Sequence, residues 1–230
     1  MNEARLRENL AAVRRRIGAA LARSSRSDAV AIVAVTKGHP PGAVLAAAAV
    51  GLRDCGENRV AELETKRQAL GEPVRWHLIG HLQRNKVRRA LPLFDLLQSL
   101  DSERLASVVS AEAVRAGTTV RCLVQVNASG EVSKGGFDVE RGVGPVQEVA
   151  ALPGVRVEGL MTMAPLTEDE GVLRDTFRRT RALFDSCRAH ADGFTGEHLS
   201  MGMSNDFEIA VEEGSTMVRL GTVLFGERAR

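Results

Sequence analysis

The chain has 230 residues, enough for one barrel-sized domain or two small ones, and 44% of them are hydrophobic but only 3% aromatic, so any core is aliphatic and rich in alanine. A formal net charge of +2 gives no argument for nucleic acid or a membrane surface as partner. Three scattered cysteines (Cys55, Cys122, Cys187) lack metal-ligand spacing and fit free thiols in a reducing compartment.

The first residues are charged and lack the apolar stretch of a signal peptide, and no run approaches the ~18 apolar residues of a membrane span. A cytoplasmic location is expected. Residues 3–23 carry Leu6, Leu10, Val13, Ile17 and Leu21 at helical spacing with arginines between them, which predicts an amphipathic helix before the first strand. Candidate strands then follow at 30–36, 52–55, 74–79, 93–98, 119–126, 155–161, 198–201 and 217–220. Helices lie between them: Pro41 suits a first helical turn and Gly51 a stop, Asp101 or Ser102 caps a long helix that Gly117 ends, and Pro153-Gly154 and Asp192-Gly193 end two more. The run 30–36 is apolar without alternation, as in strands covered on both faces. Eight strands alternating with helices predict an α/β fold, a single (β/α)8 (TIM) barrel over residues 1–230, with residues 1–25 as an extra N-terminal helix packed on it.

The unusual polar residues fall just after the predicted strand ends: Lys37, Glu57-Asn58, Gly80-His81, the segment 127–136, Thr162, the segment 200–205, and Gly221-Thr222. In a barrel these positions share one mouth, the face where sites are built. Lys37 alone reads as a solvated strand end; beside apolar neighbours its amine loses hydration and is freed to attack an aldehyde. Ser204 stands where a helix through Ala210 is expected to begin, and Gly221-Thr222 lets backbone approach closely after the last strand, so the two loops suit a phosphate or are an ordinary N-cap serine and a tight turn. An amine plus a distant phosphate cradle is the equipment for holding pyridoxal phosphate as a Schiff base. Arg219 points to the same mouth, where it would donate to a pyridine nitrogen and keep it unprotonated, which weakens carbanion chemistry. Asn58 suits the ring hydroxyl or a helix cap. His77 and His81 lie in a strand and its turn rather than on one helical face, so no metal site is expected. Arg84, Lys86, Arg88 and Arg89 have no interleaved aromatics and read as a solvated helix face. The glycine-rich loop 129–136 with Lys134 reads as a mobile flap or a plain surface loop.

The pieces AVTKGHP (34–40), GENRVAE (56–62), WHLIGHLQRNK (76–86), VQVNASGEVSKGG (124–136), GLMTM (159–163) and 199–228 together resemble the YggS/PROSC family of pyridoxal-phosphate homeostasis proteins, nearly end to end. The resemblance implies a barrel like the amino-terminal domain of alanine racemase with pyridoxal 5'-phosphate on Lys37. It further implies phosphate contacts from Ser204, Gly221 and Thr222, Arg219 at the ring nitrogen and Asn58 near the cofactor. Thr36, Gly38-His39, Cys55 and Arg59 depart from the usual pattern without removing a cofactor contact. It also implies a non-enzymatic role in vitamin B6 balance and delivery, with apo-enzymes as transient partners; a monomer is expected. The alternatives are a small racemase or lyase using the same cofactor, and a barrel enzyme with a Schiff-base lysine and no cofactor. The sequence contains no tyrosine, so the tyrosine acid/base of a racemase is not expected from this chain or a second copy.

Overall fold

The computed structural model describes residues 3–70, 74–130 and 135–227. Helix α1 (Glu3–Arg23) leads into β1 (Ala31–Val35), α2 (Gly42–Ala49), β2 (Asp54–Glu57), α3 (Val60–Leu70), β3 (Arg75–Leu78), α4 (Val87–Ala90), β4 (Leu96–Leu100) and α5 (Glu103–Ala116). Then come β5 (Val120–Asn127), α6 (Gly144–Ala150), β6 (Val155–Met161), α7 (Glu170–His190), β7 (Phe194–Ser200), α8 (Phe207–Glu212), β8 (Met217–Leu220) and α9 (Thr222–Phe225). All pairings are parallel and follow chain order, and β8 returns to β1 with Met217 opposite Ala31, which closes the ring. This is the (β/α)8 barrel with a leading helix that the alternation predicts. A two-residue strand, Phe137–Asp138, lies outside the ring beside the end of β5.

Local chemistry explains the clearest elements. The Ser102 side chain caps α5 by accepting from Leu105 N, and Gly117 ends that helix at φ 62°, a left-handed conformation natural to glycine. Three strands differ from expectation by two residues or more. β2 starts two residues late and includes Gly56 and Glu57, β4 runs on to Leu100, and β7 begins at Phe194 rather than 198. Because β2 and β7 shift, and β5 moves by one residue, Glu57, Asn127 and Ser200 end strands instead of following them.

Apolar surface is buried in two places. The larger core lies between the strands and the helices that cover them, and α1 contributes Leu6, Leu10, Val13, Ile17 and Ala20 to it. A separate small cluster of Val33, Leu96, Leu123, Met161 and Met217 comes from five strands and fills the barrel interior. The three cysteines are free and buried, and burial pushes the Cys55 thiol up to about 12, so it is chemically quiet. Among the described residues no helix is long and apolar enough to cross a membrane.

Candidate functional site

Lys37 follows β1 in a tight turn closed by His39 N donating to Thr36 O at 3.0 Å, with Gly38 at φ 71°. That positive φ is one that glycine adopts without strain. The turn is anchored from below. Lys66 Nζ donates to Thr36 O at 2.7 Å and to Glu57 Oε1 at 2.6 Å, and the Thr36 hydroxyl donates to the same carboxylate oxygen. Lys66 and Glu57 are both buried, so each needs the other as partner. Burial pushes the Glu57 carboxyl above its ordinary range even against the hydrogen bonds from Lys66 and Thr36. From the side, Glu62 Oε2 accepts from Gly38 N at 2.9 Å.

Arg219, on β8, is buried at 4% exposure. Nη1 donates to Ser200 O at 2.9 Å and to Ser200 Oγ at 2.7 Å, and Nη2 donates to Thr162 O at 2.8 Å. Those three bonds use three of its five N–H groups. Burial lowers the guanidinium to about 10, partly offset by the charge of Asp206, and this still leaves it protonated at neutral pH. Ser204 does not start α8, as expected from sequence. That helix begins at Phe207, and the Asp206 carboxylate folds back to accept from Met203 N. Ser204 Oγ instead accepts from Val223 N at 3.3 Å, across to the first turn of α9. This sets a hydroxyl beside Gly221 and Thr222. Asn58 follows β2 where it touches the loop after β3, and a Cβ on Gly80 would sit 2.3 Å from the Asn58 carbonyl oxygen.

All six sequence-predicted residues, Lys37, Asn58, Ser204, Arg219, Gly221 and Thr222, line one cavity of about 270 Å³ at the carboxyl ends of the strands. Val35, Ile79, Met163 and Leu173 give it an apolar wall. His39 packs on Phe225 of α9 with ring centroids 5.3 Å apart, so the lysine turn and the Ser204–Gly221 corner brace each other. His77 and His81 go separate ways: His77 points into the barrel toward Asp54 and Gln98, and exposed His81 pairs with Asp101. Arg84, Lys86, Arg88 and Arg89 are exposed, as a solvated face predicts, and Arg89 pairs with Glu64. Residues 131–134, and with them Lys134 and half of the proposed flap, lie outside the described residues.

The family described as alanine racemase, N-terminal domain, matches residues 2–229. A protein of Aquifex aeolicus named pyridoxal phosphate homeostasis protein is 40% identical over 96% of this chain and 97% of its own. The barrel overlays PipY of Synechococcus elongatus, solved with PLP bound, with a TM-score of 0.83 at 34% identity over 96% of this chain and 100% of that one. The chain belongs to the pyridoxal phosphate homeostasis protein family. Alanine racemase from Clostridium difficile shares the fold alone: the TM-score is 0.78 at 17% identity over 99% of this chain and 60% of the racemase.

The layer behind the cavity leaves little trace in the sequence of this family member. Lys66 occupies a buried stripe with Val60 and Leu63 at a spacing of three. A lysine in line with two apolar residues was the signal available. Glu57, expected at the mouth just after a strand, ends β2 and lies buried beneath the mouth. Asp206, 7% exposed and lining the cavity near Arg219, had no sequence signal beyond its place before a helix.

Proposed function

We propose that this chain binds pyridoxal 5'-phosphate in the cavity at the carboxyl mouth, covalently through Lys37, and acts in homeostasis of that cofactor without turning over a substrate. One observation carries the reading: six residues spread from position 37 to position 222 meet in a single cavity. The donor set suits the group. It holds one amine, one buried guanidinium that makes no contact ion pair among the described residues, and a hydroxyl set against backbone for a phosphate. The homeostasis relatives and the PLP-bound neighbour support it.

Bound pyridoxal phosphate offers an aldehyde that condenses with a deprotonated amine and releases water. The protein supplies the rest. Lys37 is half-buried on a turn fixed from below by Lys66 and from the side by Glu62, so the base of its side chain is held at the cavity. Ser204, Gly221 and Thr222 would hold the phosphate, and Asn58 would lie near the cofactor. Arg219 would donate to the ring nitrogen and, being cationic, would keep that nitrogen unprotonated. An unprotonated ring is the poorer electron sink, which fits retention better than amino-acid chemistry. The reading includes transient transfer to apo-enzymes by a cytoplasmic monomer.

The enzyme alternative, a small racemase or lyase, rests on the shared racemase fold. The decisive test is an absorbance spectrum and intact mass before and after borohydride reduction. The expected result is a band near the visible edge and a trapped adduct on Lys37, both lost in Lys37→Ala with the fold intact. An adduct on another side chain, or none, overturns the reading. Steady-state turnover of amino acids by the loaded protein, abolished by Lys37→Ala, would establish the enzyme instead.

A further inference from the structure

Barrel interiors are commonly filled with branched apolar side chains. Here a string of polar ones runs through the middle: His77, Gln98, Ser200 and Arg219, from β3, β4, β7 and β8, are all buried. Arg219 Nη1 donates to Ser200 Oγ at 2.7 Å, and Ser200 Oγ donates to Gln98 Oε1 at 2.7 Å. Gln98 Nε2 stands 2.8 Å from His77 Nδ1, and His77 Nε2 stands 3.0 Å from Asp54 Oδ1 at the opposite mouth.

The two ends fix the direction of every link. A guanidinium can only donate, so the Ser200 oxygen accepts and its proton is free for Gln98. The Gln98 amide orientation follows from its polar neighbour: Oε1 accepts from Ser200 Oγ, which leaves Nε2 toward His77 Nδ1 and 3.2 Å from Met217 Sδ. Nε2 therefore donates to His77 Nδ1, which must be unprotonated. His77 then carries its proton on Nε2 and donates to the Asp54 carboxylate. Burial works to raise that carboxyl, but the bonds from His77 and Arg75 outweigh it and hold it at about 2, so the acceptor end stays charged. The result is a one-way chain from a cation at the candidate site to an anion at the other mouth, and chains of this kind polarise one another in a low-dielectric interior.

We propose that Gln98 and His77 are positioning residues for Arg219. They turn the Ser200 lone pairs toward the guanidinium and hold it against Thr162 and Ser200, with its remaining N–H groups available to the cavity. A carboxylate in direct contact would fix Arg219 equally well but would quench the charge that a ligand is to meet. The relay fixes the group and leaves the charge available. This rests on the proposed placement of the pyridine ring beside Arg219.

The first test needs no cofactor. Nitrogen-15 NMR of histidine-labelled apo-protein is expected to show His77 as the Nε2–H tautomer with a slowly exchanging proton. An Nδ1–H tautomer or a freely exchanging ring overturns the chain. The second test uses protein loaded with pyridoxal phosphate. Gln98→Met keeps the side-chain length but removes the amide, and its cofactor dissociation is expected to be about tenfold faster, the loss of roughly one buried hydrogen bond. Val33→Ala, in the same interior layer, controls for loosened packing and is expected to leave the dissociation rate unchanged. A folded Gln98→Met that releases cofactor at the wild-type rate, or a Val33→Ala that releases it as fast as Gln98→Met, sinks the positioning role. Should the wild-type protein form no coloured adduct at all, the ligand reading fails, while the tautomer measurement still decides whether the chain exists.

Discussion

Lys66 and Glu57 are buried together beneath the turn that carries Lys37, at 2.6 Å, and each would be costly to bury alone. Lys66→Met leaves Glu57 without its counter-charge and Thr36 O with only the His39 N–H as donor. The carboxyl already titrates above its ordinary range because of burial, and removing Lys66 pushes it further the same way. A group whose folded pKa is raised contributes stability that is complete below its unfolded value and is lost as pH rises through the folded value. The expected outcome is therefore asymmetric. Lys66→Met should cost about 3 kcal/mol at pH 8 and less at pH 5, because protonation of Glu57 on acidification removes its need for a partner. Urea unfolding at the two pH values measures this, and an equal loss at both would show that the pair acts through packing alone.

At the scale of elements, glycines separate close approach from mere flexibility. Gly80, after β3, lies against the backbone of Asn58, and a Cβ there would come within 2.3 Å of the carbonyl oxygen and 2.8 Å of Cα. Gly18, exposed in the middle of α1, meets nothing within 4 Å. Gly80→Ala is expected to destabilise by roughly 1–3 kcal/mol and to weaken cofactor retention by pushing Asn58 aside, whereas Gly18→Ala should stabilise by about 0.5–1 kcal/mol. Thermal melts with and without pyridoxal phosphate distinguish the two, and a neutral Gly80→Ala would mean the loop after β2 yields freely. The same local-versus-distant contrast explains what could be read in the chain. β6 and β8 stand at their predicted bounds because turns and apolar runs punctuate them. β2 (DCGE) and β7 (FTGEHLS) do not look like strands, since Gly56 packs on Val33 and Ile79, and Glu57 and Ser200 find polar partners far away in sequence. The six cavity residues were legible because barrel geometry gathers whatever follows its strands. The supporting layer of Lys66, Gln98 and His77 was not, because its partners are defined only once the ring has closed.

For the molecule as a whole, closure of the barrel places the first helix against the last elements. The buried stripe of α1 packs toward α8 and α9, Asn9 Nδ2 donates to Leu224 O at 2.9 Å, and Arg16 reaches Glu208 at 2.7 Å with its guanidinium over the Phe207 ring. The Arg16–Glu208 and Arg23–Glu212 pairs are largely exposed on the arginine side and contribute little, so the apolar stripe dominates the attachment. α9 begins with Thr222 and Val223, the corner that faces Ser204. α1 therefore holds the proposed phosphate corner from behind, although none of its residues reaches the cavity wall. Leu10→Ala, at a position 2% exposed, is expected to cost about 3 kcal/mol and also to speed cofactor release. Leu105→Ala on α5, across the barrel and equally buried, should lose similar stability without changing release. Urea midpoints paired with cofactor dissociation rates for both variants test this coupling, and parallel behaviour of the two would reduce α1 to a packing element with no bearing on the site.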